Sequence, residues 1–118
     1  MARGREIFDP IAARLCALPD VDMGRMFGTE GVRVRGKVFA FVGHGGALVA
    51  KLPEQRIGDL TAEGVGTPMI MRGRPMREWA EIRPDAADTW AALIAEAHRF
   101  VDAITPDDRA TNAGHASG

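Results

Sequence analysis

The sequence predicts an α+β fold: an antiparallel β-meander of about five to six strands, with N- and C-terminal helices packed on one face of the sheet. Three observations predict it. Apolar residues near both ends of the chain recur at spacings of three and four, the period of an amphipathic helix. Between those ends, short apolar runs are separated by glycine-containing turns, the pattern of successive strands. The turns are too short for a parallel crossover, so neighbouring strands run antiparallel.

The first helix is read from Ile7 or Phe8, Ile11, Leu15 and Leu18, which share one face. Pro10 either kinks it or takes its first position with Asp9 as the N-cap, and Pro19-Asp20 ends it. A first strand is expected over residues 23–27. Val32 and Val34 then alternate with Arg33 and Arg35, the period of a strand with one wet face. Gly36-Lys37 makes a tight turn. Val38-Phe39-Ala40-Phe41-Val42 is apolar on both faces and reads as a central strand covered on both sides. Gly43-His44-Gly45-Gly46 is a second turn, followed by a strand over residues 47–52.

Residues 53–63 form a short helix, with Pro53 in its first turn and Ile57 and Leu60 on one face. Gly64-Val65-Gly66 ends it. Residues 67–71 make an edge strand, because Pro68 has no N–H to give a central ladder. Arg72-Gly73-Arg74-Pro75 reads as a turn, and residues 76–82 as the last strand, with Trp79 its bulky member. The final helix carries Trp90, Leu93, Ile94, Ala97, Phe100, Val101 and Ile104 at helical spacing. Asp85 is its expected N-cap, and Asp88 suits the dipole of the first turn. Beyond Thr105 the apolar period stops. The chain therefore divides into one domain, residues 1–105, and a flexible tail, residues 106–118.

The length of 118 residues suits one core, and 46% hydrophobic with 26% charged residues is ordinary globular composition. The net charge of −1 lacks the basic excess that binding to phosphate backbones usually needs, so only a local patch serves that role. Cys16 is the one cysteine, which excludes an internal disulfide. No run of signal-peptide type or membrane-spanning length is expected, so the protein is placed in the cytoplasm with no membrane partner.

No catalytic pattern stands out along the chain. Ser117 is the sole serine and there is no tyrosine, so a serine triad has no basis. Cys16 reads as a small helix residue, not as a nucleophile paired with His44 or His98. His44, His98 and His115 share no metal-ligand spacing. The glycines around His44 join two strands and lack the helix N-terminus that binds phosphate. Glu78 and Glu81 fall on opposite faces of a strand. No catalytic, metal or cofactor-binding residue is expected, and no cofactor. Two basic clusters remain: Arg25, Arg33, Arg35 with Lys37, and Arg72, Arg74, Arg77. Both are candidates for contact with an acidic partner or with nucleic acid. A charged outer sheet face paired with Glu30, Glu78 and Glu81 accounts for the same residues.

Two segments carry a family resemblance. One is Arg25-Met26-Phe27-Gly28, then Gly31-Val32 and Gly36-Lys37-Val38-Phe39-Ala40. The other is Gly73-Arg74-Pro75-Met76-Arg77-Glu78-Trp79, with Trp90 and the last helix downstream. Together they resemble the N-terminal domain of the TfoX/Sxy family, from about Ile7 to Ile104. The resemblance implies an α+β fold, a stand-alone N-terminal domain, a bacterial origin, and a role in regulating competence or related gene expression. It implies no catalytic residues and no cofactor. By their own chemistry Phe27, Phe39, Trp79 and Trp90 are core anchors. Gly28, Gly36 and Gly73 sit at turns, and Arg74 and Arg77 flank Pro75-Met76.

The leading expectation is a non-enzymatic regulatory domain that binds a protein partner or a second copy of itself as a homodimer. The alternative is a nucleic-acid-binding domain whose six arginines converge on one face. A small-ligand binder or enzyme is the third reading, and it requires a pocket such as one around His44, Arg74 and Glu78.

Overall fold

The computed structural model describes residues 2–26, 29–43 and 45–105. The expectations for Phe27, Gly28, His44 and the tail lie outside the described residues. The chain runs α1 (Ala2–Leu15), β1 (Val21–Met26), β2 (Thr29–Val34), β3 (Lys37–Val42), β4 (Leu48–Lys51), α2 (Glu54–Ala62), β5 (Gly66–Met71), β6 (Arg74–Ile82), a 3-10 turn (Pro84–Thr89) and α3 (Trp90–Ile104). This is the expected α+β class. The six strands form one sheet in the order β1-β2-β3-β4-β6-β5, antiparallel throughout.

Strand alternation sorts the side chains into two faces. The register lines up Val42, Leu48 and Ile82 in one row, and Ala40, Ala50 and Ala80 in the next. Both rows are buried in one cluster with Phe8 and Ala12 of α1, Ile57 and Leu60 of α2, and Trp90, Leu93, Ile94, Ala97 and Val101 of α3. The two terminal helices therefore cover the same face, as expected, and α2 joins them there. Trp90 is fully buried and its indole N–H donates to the Arg83 carbonyl at 3.2 Å, so the one polar atom of the ring is satisfied. In β3, Val32 pairs with Ala40 but Arg33 pairs with Val38, which leaves Phe39 as an inserted residue. That bulge turns both Phe39 and Ala40 into the core, and the Phe39 ring meets His98 of α3 edge-on at 5.4 Å.

Several local expectations are corrected. Helix α1 starts at Ala2, so Pro10 lies inside it and Asp9 is not its N-cap. Asp9 instead pairs with Arg5 one turn earlier at 3.2 Å. Phe8 and Ala12, buried on either side of Pro10, hold the helix through packing despite the missing N–H. Asp85 does not cap α3 either. It belongs to the 3-10 turn opened by Pro84 and bonds Arg83 at 3.1 Å, while the non-helical backbone of Ala86 separates it from α3. The last turn of the sheet is only Arg72-Gly73, because Arg74 and Pro75 already belong to β6. Trp79 is not part of the helix-facing core. It lies half-buried on the opposite face, 5.9 Å from the ring of Phe41, and Lys51 sits over it at 5.5 Å. The second apolar face of β3 is thus met at Phe41 by the indole of β6, across β4, and not by a second layer of helices.

Candidate interaction site

The six candidate arginines do not converge. Arg25, Arg33 and Arg35 belong to the β1–β2 side of the sheet, and Arg72, Arg74 and Arg77 to the β5–β6 side. β1 and β5 are the two edges, five strand spacings or about 24 Å apart.

The first group is largely consumed by the fold. Arg33 forms a bidentate pair with Asp22 at 2.7 and 3.1 Å. The Arg33 hydrogen bond, with its charge, holds the Asp22 carboxyl below its ordinary range. The side chain of Arg35 is only 11% exposed. It donates to the carbonyls of Asp102 and Thr105 at 2.9 and 2.8 Å, and pairs with the carboxylates of Asp102 at 2.8 Å and Asp20 at 3.5 Å. Those carbonyls end α3, where helical acceptors have no internal donor, so Arg35 caps the helix and ties it to the β2–β3 turn. Arg25 is exposed near the other end of β1, opposite Glu30.

The second group is presented to solvent. Arg72, Arg74 and Arg77 are exposed, and none has a hydrogen bond or ion pair among the described residues. Three features set this region apart. First, residues 66–77 contain three arginines and no acid, in a chain of 16 acidic residues. Second, Ile70 is 59% and Met71 39% exposed, two of the few large apolar side chains left in water. Third, the ribbon outruns the sheet. β4 ends opposite Trp79, Leu52 N–H closes the pairing on the Glu78 carbonyl at 3.1 Å, and Pro53 then leads into α2. Residues 70–77 therefore continue as a two-stranded arm. At its base the register jumps from Pro68↔Ala80 to Ile70↔Pro75, so four residues of β6 face Met69 alone and a bulge interrupts the pairing between the arm and the rest of the sheet.

The tip is a two-residue turn with positive φ at Arg72 (54°) and Gly73 (77°), the sign that the tightest hairpin turns demand at both positions. Glycine adopts it freely, whereas an arginine there is strained. Arg72 carries that strain with no contact inside the described molecule to offset it.

The region around Arg74 and Glu78 forms no enclosed site. Arg74 is exposed, and Glu78 pairs with Lys51 at 3.9 Å. A shallow groove of about 420 Å³ lies elsewhere, between α2 and α3, lined by Pro53, Arg56, Glu96, Arg99 and Phe100. Two of its polar groups already satisfy each other, since Arg56 binds Glu96 through two bonds of 2.9 and 3.2 Å. No three His, Cys, Asp or Glu side chains among the described residues converge to ligate a metal. No described helix is long and apolar enough to cross a membrane.

Sequence reasoning found Arg72, Arg74 and Arg77 but missed Ile70 and Met71, which it placed in an ordinary edge strand. The two prolines flanking them, Pro68 and Pro75, were the available signal that this hairpin stands apart. Comparisons with family models, with curated proteins and with solved structures return no match to this chain.

Proposed function

We propose that this chain is a non-catalytic regulatory module, of the type its TfoX-like motifs suggest, that acts by docking a protein partner on the β5–β6 arm. One observation carries the reading: the arm combines three guanidinium groups, unpaired among the described residues, with exposed Ile70 and Met71, and has no acid of its own. Arginine and methionine are enriched where proteins meet, because a guanidinium binds carboxylates bidentately and a thioether adapts to irregular surfaces. The chemistry of the arm asks for a partner that is acidic and partly apolar. Positive φ at Arg72 supports the same reading, since strain without an internal return marks sites shaped by function.

The test is a photo-crosslinker at the tip, Met71→benzoylphenylalanine. It is expected to trap a protein in cells, and to lose it when Arg72→Glu, Arg74→Glu and Arg77→Glu are combined. Crosslinking that ignores the reversal removes the arm from the function. The nucleic-acid reading has three free arginines here and not six. It predicts duplex binding whose logarithmic salt slope is about −3, which fluorescence anisotropy would detect. Such a slope, lost in the reversed variant, would assign the arm to phosphates instead.

A further inference from the structure

From the phase of the hydrogen bonds we infer that the arm's partner is an extended acidic segment that adds to β5 as a seventh strand. This rests on the docking reading and specifies its geometry.

Leu52 N–H bonds the Glu78 carbonyl, so Glu78, Ala80 and Ile82 turn their backbone groups toward β4. Trp79 and Glu81 then turn theirs toward β5, and Thr67 is the residue that bonds Glu81. Gly66 and Pro68 consequently turn their backbone groups away from β6. At the tip, Met71 and Arg74 flank the two-residue turn as its bonded pair, which leaves Ile70 and Pro75 facing outward. Both prolines thus occupy places where a missing N–H breaks no internal bond. Gly66 is buried beside Leu60 of α2, so the open edge of β5 begins at Pro68 and offers the N–H of Ile70 and the carbonyls of Pro68 and Ile70.

The other edge of the sheet is better defended. β1 carries the charged Asp22 and Arg25, and its Val21 N–H is taken by the Leu18 carbonyl at 3.4 Å. β5 has no charged residue at all. Uncharged edges are where foreign strands add.

Two features select a different chain over a second copy. Self-pairing centred on Pro68 would set one proline against another, two carbonyls with no donor between them. The arm's three positive charges, unpaired among the described residues, are also complemented by an acidic segment, not by another arm bearing the same charge.

The experiment is a selection of random linear dodecapeptides against the purified protein, followed by amide hydrogen exchange of the complex. The expected winners alternate apolar residues and carry an acidic cluster. They protect the Ile70 amide in the wild-type protein, with no variant needed. Ile70→Pro, which deletes only an outward N–H, is expected to weaken them roughly tenfold or more, beyond Ile70→Ala, which removes the side chain alone. Acidic peptides that need the three arginines but leave the Ile70 amide exchanging would overturn strand addition and keep the docking reading. Uncharged winners on the same edge would overturn the acidic partner. Failure to select any arginine-dependent peptide would sink both. Concentration-dependent dimers in sedimentation, abolished by Ile70→Pro, would replace the segment with a second copy.

Discussion

Two arginine-glycine turns close hairpins at the same end of this sheet, and the chain uses them in opposite ways. Arg35-Gly36 joins β2 to β3 and Arg72-Gly73 joins β5 to β6, each with positive φ at both residues (48° and 81°, 54° and 77°). Locally they are the same solution to reversing a strand in two residues. Arg35 is folded back under the C-terminus of α3, where two carbonyls and two carboxylates surround it. Arg72 extends into water. The difference teaches that a strained turn arginine is not by itself functional. It is so read only where its strain has no structural counterpart, as at Arg72.

The anchors of the two hairpins test this contrast most strongly. Phe39 is fully buried under α3, whereas Trp79 is half-exposed on the helix-free face. Phe39→Ala is expected to cost about 3–5 kcal/mol in urea unfolding, with Trp79→Ala costing about 1–2 kcal/mol. Equal losses would break the distinction between a structural hairpin and a projecting one.

Reversal of Arg72, Arg74 and Arg77 to Glu is next. Calorimetry with a selected acidic peptide is expected to show affinity falling by roughly a hundredfold, because attraction becomes repulsion at three positions. The unfolding free energy of the same variant should stay within about 0.5 kcal/mol of wild type, as for other exposed positions without partners.

The two turn arginines then predict opposite signs for one substitution. Arg72→Gly relieves a left-handed strain with nothing lost and is expected to be neutral or up to about 1 kcal/mol stabilising. Arg35→Gly relieves the same strain but uncaps α3, and its thermal midpoint is expected to fall. Two changes of the same sign would show that the turns are equivalent.

The smallest effect is in acid. Asp22 titrates below its ordinary value of 3.8, chiefly because Arg33 hydrogen-bonds its carboxylate. A group with a depressed folded pKa stabilises fully above the unfolded value and loses that contribution as pH falls through the folded one. Thermal melts from pH 5 down to about pH 2 should therefore show part of the acid slope below roughly pH 4 removed by Asp22→Asn. The arm carries no acid, so the triple reversal should add carboxylates but leave this pair untouched.

Much of this was legible in the chain. Alternation of Val32 and Val34 with arginine, the glycine turns, the other short apolar runs and the apolar period of α3 located all six strands and the last helix to within a few residues, because local sterics and solvent set those patterns. Pro10 and Asp85 misled for the converse reason: each is a strong local signal overridden by packing, by Phe8 and Ala12 in one case and by the break at Ala86 in the other.

What the sequence determined by itself is therefore the α+β class, the turn chemistry and which arginines are candidates, since periodicity and backbone preference act over a few residues. The tertiary structure alone decided which arginines are consumed. Arg35 meets Asp102, 67 positions further along the chain, and β6 inserts between β4 and β5, which sends Arg72, Arg74 and Arg77 to the edge opposite Arg25 and Arg33. Long-range pairing depends on strand order and helix docking, and no short window of residues encodes either.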